Sequence, residues 1–161
     1  MSLNQLHKNI KEIEKILSTQ KEIESIEFSD WTKEKAIIKY TKTIPSFKII
    51  NNFIYWCNLG INIGSEQNKL RPAIIIRSQS NSPICTVLPL TSVRMKDNRW
   101  YHIDLEEQNS TVLVEHLKNI SKLRIVNPQR LNGKLVKITL NDWNRISSAL
   151  QGYYKLEPFP K

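Results

Sequence analysis

A polar loop that runs straight into a buried strand can hold a cation still, and this chain has one. Gly64-Ser65-Glu66-Gln67-Asn68-Lys69-Leu70-Arg71-Pro72 leads into the aliphatic run Ala73-Ile74-Ile75-Ile76. Gly64 permits a tight backbone entry. Arg71 stands at the junction, with Pro72 fixing the backbone behind it. A guanidinium tethered there can donate two parallel hydrogen bonds to a phosphate. Further along, Ile84-Cys85-Thr86-Val87-Leu88-Pro89-Leu90 ends in Thr91 and Ser92. A hydroxyl just past a buried strand can also donate to a phosphate oxygen. If the two strands pair as neighbours, Arg71 and Thr91 approach one another across the sheet. The same residues also fit a plainer arrangement, a strand-edge arginine and a threonine in a turn.

These groups need rigid elements under them. Aromatic and aliphatic runs at Phe53–Leu59, Pro72–Arg77 and Ile84–Leu90 read as strands, with shorter ones at Trp100–Leu105 and Thr111–Val114. Leu123–Val126 and Leu135–Ile138 add two more. Asn141 or Asp142 is expected to cap a final helix in which Trp143, Ile146, Ala149 and Leu150 share a face. Short strands followed by a terminal helix indicate a small β-barrel of α+β class.

Residues 1–48 read differently. Ser2 with Gln5 matches a capping box, and Leu3, Leu6, Ile10, Ile13 and Leu17 form one apolar stripe. The pattern predicts a helix over 2–27 and a second over 31–43, N-capped by Ser29 or Asp30 and ended by Pro45. This is a helical hairpin, an extension preceding a domain over 49–161. A stripe of this kind must pack on something, because propensity alone stabilises a short helix too little.

Composition narrows the partners. The chain carries 24 Lys and Arg against 15 Asp and Glu, a net charge of +9. Residues 1–50 hold 9 Lys and 7 acids, +2, which leaves 15 basic and 8 acidic residues, +7, in residues 51–161. The excess lies where the phosphate-gripping pair lies, and favours an anionic partner such as RNA. No apolar run approaches the roughly 20 residues of a membrane helix, and no secretory signal opens the sequence, so the cytoplasm is the expected compartment. Cys57 and Cys85 read as buried free thiols. His7, His102 and His116 lack metal-ligand spacing, so neither metal nor cofactor is expected.

Three segments carry a resemblance. Tyr55-Trp56-Cys57-Asn58-Leu59 with Gly64-Ser65-Glu66-Gln67 and Arg71-Pro72, then Leu88-Pro89-Leu90-Thr91-Ser92, then Val112 to Arg124, resemble in turn the successive strands and loops of the MazF/PemK toxins. The helix over 142–154 is similar to their terminal helix. The resemblance spans residues 50–155 and implies an SH3-like barrel of the MazF/CcdB type. It implies a type II toxin, a homodimeric mRNA interferase that cuts single-stranded RNA without metal. The RNA's own 2′-hydroxyl attacks the phosphorus and leaves a cyclic phosphate and a 5′-hydroxyl. A cognate antitoxin would be the protein partner, with DNA bound by the pair. By position, Arg71, Thr91 and Glu66 match the catalytic set. Ser65, Gln67, Asn68, Lys69, Ser92 and Lys118 match RNA contacts. Two departures stand out. Asn52-Phe53 replaces the usual Gly-Asp before the first strand. In Lys118-Asn119-Ile120-Ser121, Ser121 stands where some relatives have an Asp base. The proton acceptor is therefore open between Glu66 and no protein residue. A non-catalytic relative that binds nucleic acid or protein, as gyrase poisons of this fold do, is the competing reading.

Overall fold

The computed structural model describes residues 3–156. The chain divides between Lys42 and Thr43 into two compact units. The first holds α1 (Leu3–Leu17) and α2 (Glu22–Tyr40). The break falls at residues 18–21, earlier than the pattern predicted, so Ser29 and Asp30 lie inside α2 and cap nothing. Hydroxyls explain the early stop. Ser18 Oγ donates to Lys15 O at 2.8 Å and Thr19 Oγ1 to Ile16 O at 2.7 Å, while Ser25 Oγ of α2 takes Leu17 O at 2.7 Å. Together they satisfy carbonyls that a helix end leaves without partners. Ser2 of the expected capping box lies outside the described residues. Leu3, Leu6, Ile10 and Ile13 are exposed. Ile10, Ile13 and Leu17 border a groove of ≈ 690 Å³ whose other wall includes Ser25 and Ile26.

The second unit is built on one antiparallel sheet. Its strands are β1 (Ile54–Asn58), β2 (Leu70–Ser78), β3 (Ile84–Thr91), β4 (His102–Asp104), β5 (Thr111–Leu113), β6 (Lys118–Ser121) and β7 (Ile125–Pro128). They run in the order β4-β5-β3-β2-β1-β7, with β6 also on β3. The expected barrel does not close. Short strands end the path, β4 with three residues and β7 with four. A separate two-stranded hairpin joins β8 (Arg130–Leu131) to β9 (Lys134–Leu135). β6 escaped the sequence reading. It pairs with the first half of β3, Ile84 to Val87, while β5 pairs with the last two residues, Leu90 and Thr91. The strand carrying Thr91 is thus bonded along both edges.

Alternation along the central strands feeds two cores. Ile54, Ile74, Leu88 and Leu90 pack to one face with Val112, Ile146 and Ala149. Tyr55, Cys57, Ala73, Ile75, Cys85 and Val87 pack to the other with Ile120, Ile125 and the partly buried Phe47 and Ile49. Tyr55 ties the entering chain down: its hydroxyl donates to Lys48 O at 2.9 Å and accepts from Ile50 N at 3.0 Å.

The helix α3 (Leu140–Tyr153) closes the first core. Its N-cap is Thr139, not Asn141 or Asp142. Asp142 is the N3 partner in a capping box. That carboxylate is 1% exposed. It accepts from Thr139 N at 3.3 Å and Glu106 N at 3.2 Å, and pairs with Arg145.

Both cysteines are free and buried. Burial raises the Cys57 thiol far above its ordinary range and, against the opposing charge of Lys122, raises Cys85 to about 11. A thiol that is neither ionised nor accessible is a poor nucleophile. The native protein is therefore expected to leave a thiol-titrating disulfide reagent unreacted, with both thiols titrating after denaturation. Rapid labelling of either thiol in the native state would contradict the packing described.

Candidate active site

Arg71 and Thr91 stand on neighbouring strands, each two residues past the last pair. β2 and β3 pair antiparallel with Ala73 opposite Pro89 and Ile74 opposite Leu88. That pairing ends at Ala73 and Pro89, two residues short of Arg71 and Thr91; the same register continued would bring the two opposite one another. Alternation then sends both side chains to the Ala73 face. On its other side Arg71 is opposite Cys57 of β1. A buried sheet thus fixes both backbones, as the aliphatic runs required.

Each functional group has been left with something to give. Arg71 Nε donates to Asn68 O at 2.8 Å, which aims the guanidinium. Its terminal nitrogens have no partner among the described residues, so a bidentate edge remains for an anion. Thr91 is only 7% exposed. Its Oγ1 accepts from Val93 N at 3.3 Å. A hydroxyl that accepts with one lone pair keeps its proton to donate.

The loop is closed at its neck. Leu59 N donates to Lys69 O at 2.9 Å, and Lys69 N donates to Gly60 O at 2.5 Å. Gly60 and Gly64 sit at positive φ, as does Lys69. Inside the loop, Asn62 Nδ2 donates to both Leu59 O and Gln67 O, at 3.2 and 2.7 Å. Arg124 braces the entry: its Nη1 donates to Asn58 O and Leu59 O at 3.2 and 3.1 Å. Burial lowers the Arg124 pKa below its ordinary value.

The sequence-selected residues fall into two groups. Ser65, Glu66, Gln67, Asn68 and Lys69 share the loop, and Lys118 of β6 reaches it through an ion pair with Glu66 at 4.0 Å. Ser92 is exposed one residue beyond Thr91. Ser121, in place of a carboxylate, accepts from Leu123 N at 3.3 Å and caps the 3₁₀ turn Lys122–Arg124.

Three residues that sequence reasoning passed over surround the same place. Glu115 and His116, in the 3₁₀ turn Val114–His116, line a recess of ≈ 180 Å³ with Glu66, Gln67, Pro89, Leu117 and Lys118. Behind them His102 has Nδ1 2.6 Å from Asp97 and Nε2 2.7 Å from Glu115. Burial lowers the His116 pKa, against the pull of Glu115, and nearby Lys118 and Arg94 lower it further. Nothing in the spacing of His102 and Glu115 announces the pairing, because it is made by β4 lying on β5 with His102 opposite Leu113.

Residues 52–153 match the family profile described as PemK-like, MazF-like toxin of type II toxin-antitoxin system. Endoribonuclease EndoA of Bacillus subtilis (strain 168) is 26% identical over 107 residues, which cover 61% of this chain and 87% of that protein. Among solved structures, MazF (Form-I) from Deinococcus radiodurans superposes with a TM-score of 0.57 at 17% identity, over 69% of this chain and 100% of that one. A mycobacterial endoribonuclease in complex with its cognate antitoxin gives 0.52 at 17% identity, over 70% of this chain and 100% of that one.

Proposed function

Since this chain belongs to the PemK-like, MazF-like toxins of type II toxin-antitoxin systems, we propose that it is an endoribonuclease that cuts single-stranded mRNA in the cytoplasm. The observation that carries the reading is that Arg71 and Thr91 each stand two residues beyond the Ala73–Pro89 pair of neighbouring strands, beside a polar loop. The loop and the charge excess on residues 51–161 suit a polyanion.

In the proposed reaction the substrate supplies its own nucleophile. The 2′-hydroxyl oxygen bonds to the adjacent phosphorus and the P–O5′ bond breaks. A 2′,3′-cyclic phosphate and a 5′-hydroxyl result. The 2′-hydroxyl proton leaves to Glu66 or to water, and O5′ takes up a proton from water as it departs. Negative charge accumulates on the non-bridging oxygens at the phosphorane. Arg71 meets it with two N–H groups and Thr91 with one O–H, all fixed before the reaction begins. An arginine is a poor acid, its pKa lying above about 12, so its part is charge stabilisation. This division needs no metal ion.

In this reading residues 49–161 are the toxin domain and residues 1–48 a helical extension. The partners are a second copy of the chain and a cognate antitoxin; the mycobacterial endoribonuclease in the comparison is seen with one. The test is direct. Purified protein with long single-stranded RNA and EDTA is expected to yield discrete fragments with 5′-hydroxyl ends, which a kinase labels without prior phosphatase. Intact RNA would sink the enzymatic reading in favour of a binding protein. Fragments with 5′-phosphates would sink the 2′-hydroxyl mechanism.

A further inference from the structure

The exposed face of α2 is complementary to its own reverse. Ile23, Ile26, Asp30, Lys33, Ile37 and Tyr40 follow at alternating spacings of three and four, which puts them on one stripe of the helix. The four apolar members are between 48 and 73% exposed, and Asp30 and Lys33 are exposed between them. From the N-terminus the order is apolar, apolar, acid, base, apolar, apolar. Reversed, only the acid and the base change places. Laid antiparallel on a second copy, the stripe sets Ile23 against Tyr40, Ile26 against Ile37 and Asp30 against Lys33 of the other chain. Each of these contacts occurs twice, once on either side of a twofold axis, as a self-complementary interface requires. The same stripe laid parallel would set Asp30 on Asp30 and Lys33 on Lys33.

The rest of the helical unit agrees. The ≈ 690 Å³ groove between α1 and the first half of α2 has Ile10, Ile13, Leu17 and Ile26 on its walls. Its charged lining residues are Glu14 and Glu22, both acidic. The first half of α2, residues 22–30, carries Glu22, Glu24, Glu27 and Asp30 and no base. The second half, residues 31–40, carries Lys33, Lys35 and Lys39 against the single acid Glu34. An antiparallel copy therefore brings its basic half to the acidic half, and its Ile37 and Tyr40 to the apolar groove. Ser29 and Ala36 flank the stripe and come together in the same alignment, where their small side chains let the two helices approach.

We propose that α2 pairs antiparallel with α2 of a second copy, the C-terminal half of each lying in the groove of the other. The interface lies within residues 1–42 and is independent of the RNA-cleaving reading. It tethers two copies of the unit over Thr43–Lys161, at an effective concentration on the order of mM.

The test uses the full chain. Ser29→Cys and Ala36→Cys are made in separate proteins, mixed in equal amounts, equilibrated and treated with a short bis-maleimide, and covalent dimers are measured on a denaturing gel. Cys57 and Cys85 are buried, and the unsubstituted protein sets the background. The mixture is expected to give at least about tenfold more dimer than either protein alone, because in the antiparallel pair two copies of position 29 lie seven residues, about 10 Å, apart along the helices. Asp30→Lys added to both proteins sets lysine against lysine and should lower the yield about tenfold. Lys33→Asp should do the same by setting aspartate against aspartate. Made together, the two substitutions recover the complementary order and should recover the yield. Circular dichroism checks that the helices persist, and the double substitution decides the matter should a single one lose them. Dimers from each protein alone as readily as from the mixture, no dimers above background, or a double substitution no better than the single ones overturns the proposal.

Discussion

Arg71→Ala is expected to slow RNA cleavage about 10³-fold, the upper end for removal of one fixed donor at a developing oxyanion. The loss should appear in kcat more than in KM, since the charge the guanidinium meets develops in the transition state. Arg71→Lys keeps the charge but loses the planar fork, so it should recover little, about tenfold over alanine. Neither change should unfold the protein. Arg71 is half-buried at a strand end, and its one seen bond is to Asn68 O; losing such a bond costs about 1 kcal/mol. Single-turnover kinetics beside a thermal melt would show both halves. Activity within tenfold of wild type in Arg71→Ala would remove Arg71 from the mechanism.

The largest effect on stability is expected at Asp142. Alanine there leaves Glu106 N and Thr139 N without their acceptor, and removes the ion-pair partner of Arg145, which keeps its bond to Asp104 O. The Arg145 side chain is 38% exposed, so its pairing adds little once solvent screens it. The weight falls on the two orphaned backbone N–H groups and the broken capping box. Together they put the loss at about 3 kcal/mol. Asp142→Asn keeps an acceptor oxygen and should cost less than half as much. Urea unfolding at constant m-value measures it. A loss below about 1 kcal/mol for alanine would mean that the N-terminus of α3 is held by something else.

The two predictions draw on parts of the chain that were not equally legible. β1, β2 and β3 were readable because their aliphatic runs are long and lead out of a polar loop. The β2–β3 neighbourhood expected from those runs is the one found. β6 was not readable: Lys118-Asn119-Ile120-Ser121 has one apolar side chain, and its pairing is supplied by the edge of β3. The α1 to α2 break was missed because no Gly or Pro marks it; three hydroxyls make it instead. The N-cap of α3 reads up to one turn late, at Asn141 or Asp142, until Thr139 is found three residues before Asp142. The Asp97–His102–Glu115 array is purely tertiary, and spacings of 5 and 13 residues between its members carry no periodic signal.

The neck of the loop has an evolutionary meaning. Because Leu59, Gly60 and Lys69 bond to one another across its base, residues 61–68 form a cassette sealed from the sheet. A change inside the cassette alters what the surface displays without shifting the β1–β2 register that sets Arg71 in place. Selection can therefore change the loop's side chains one at a time, Glu66 apart, while the strand register under Arg71 is inherited unchanged.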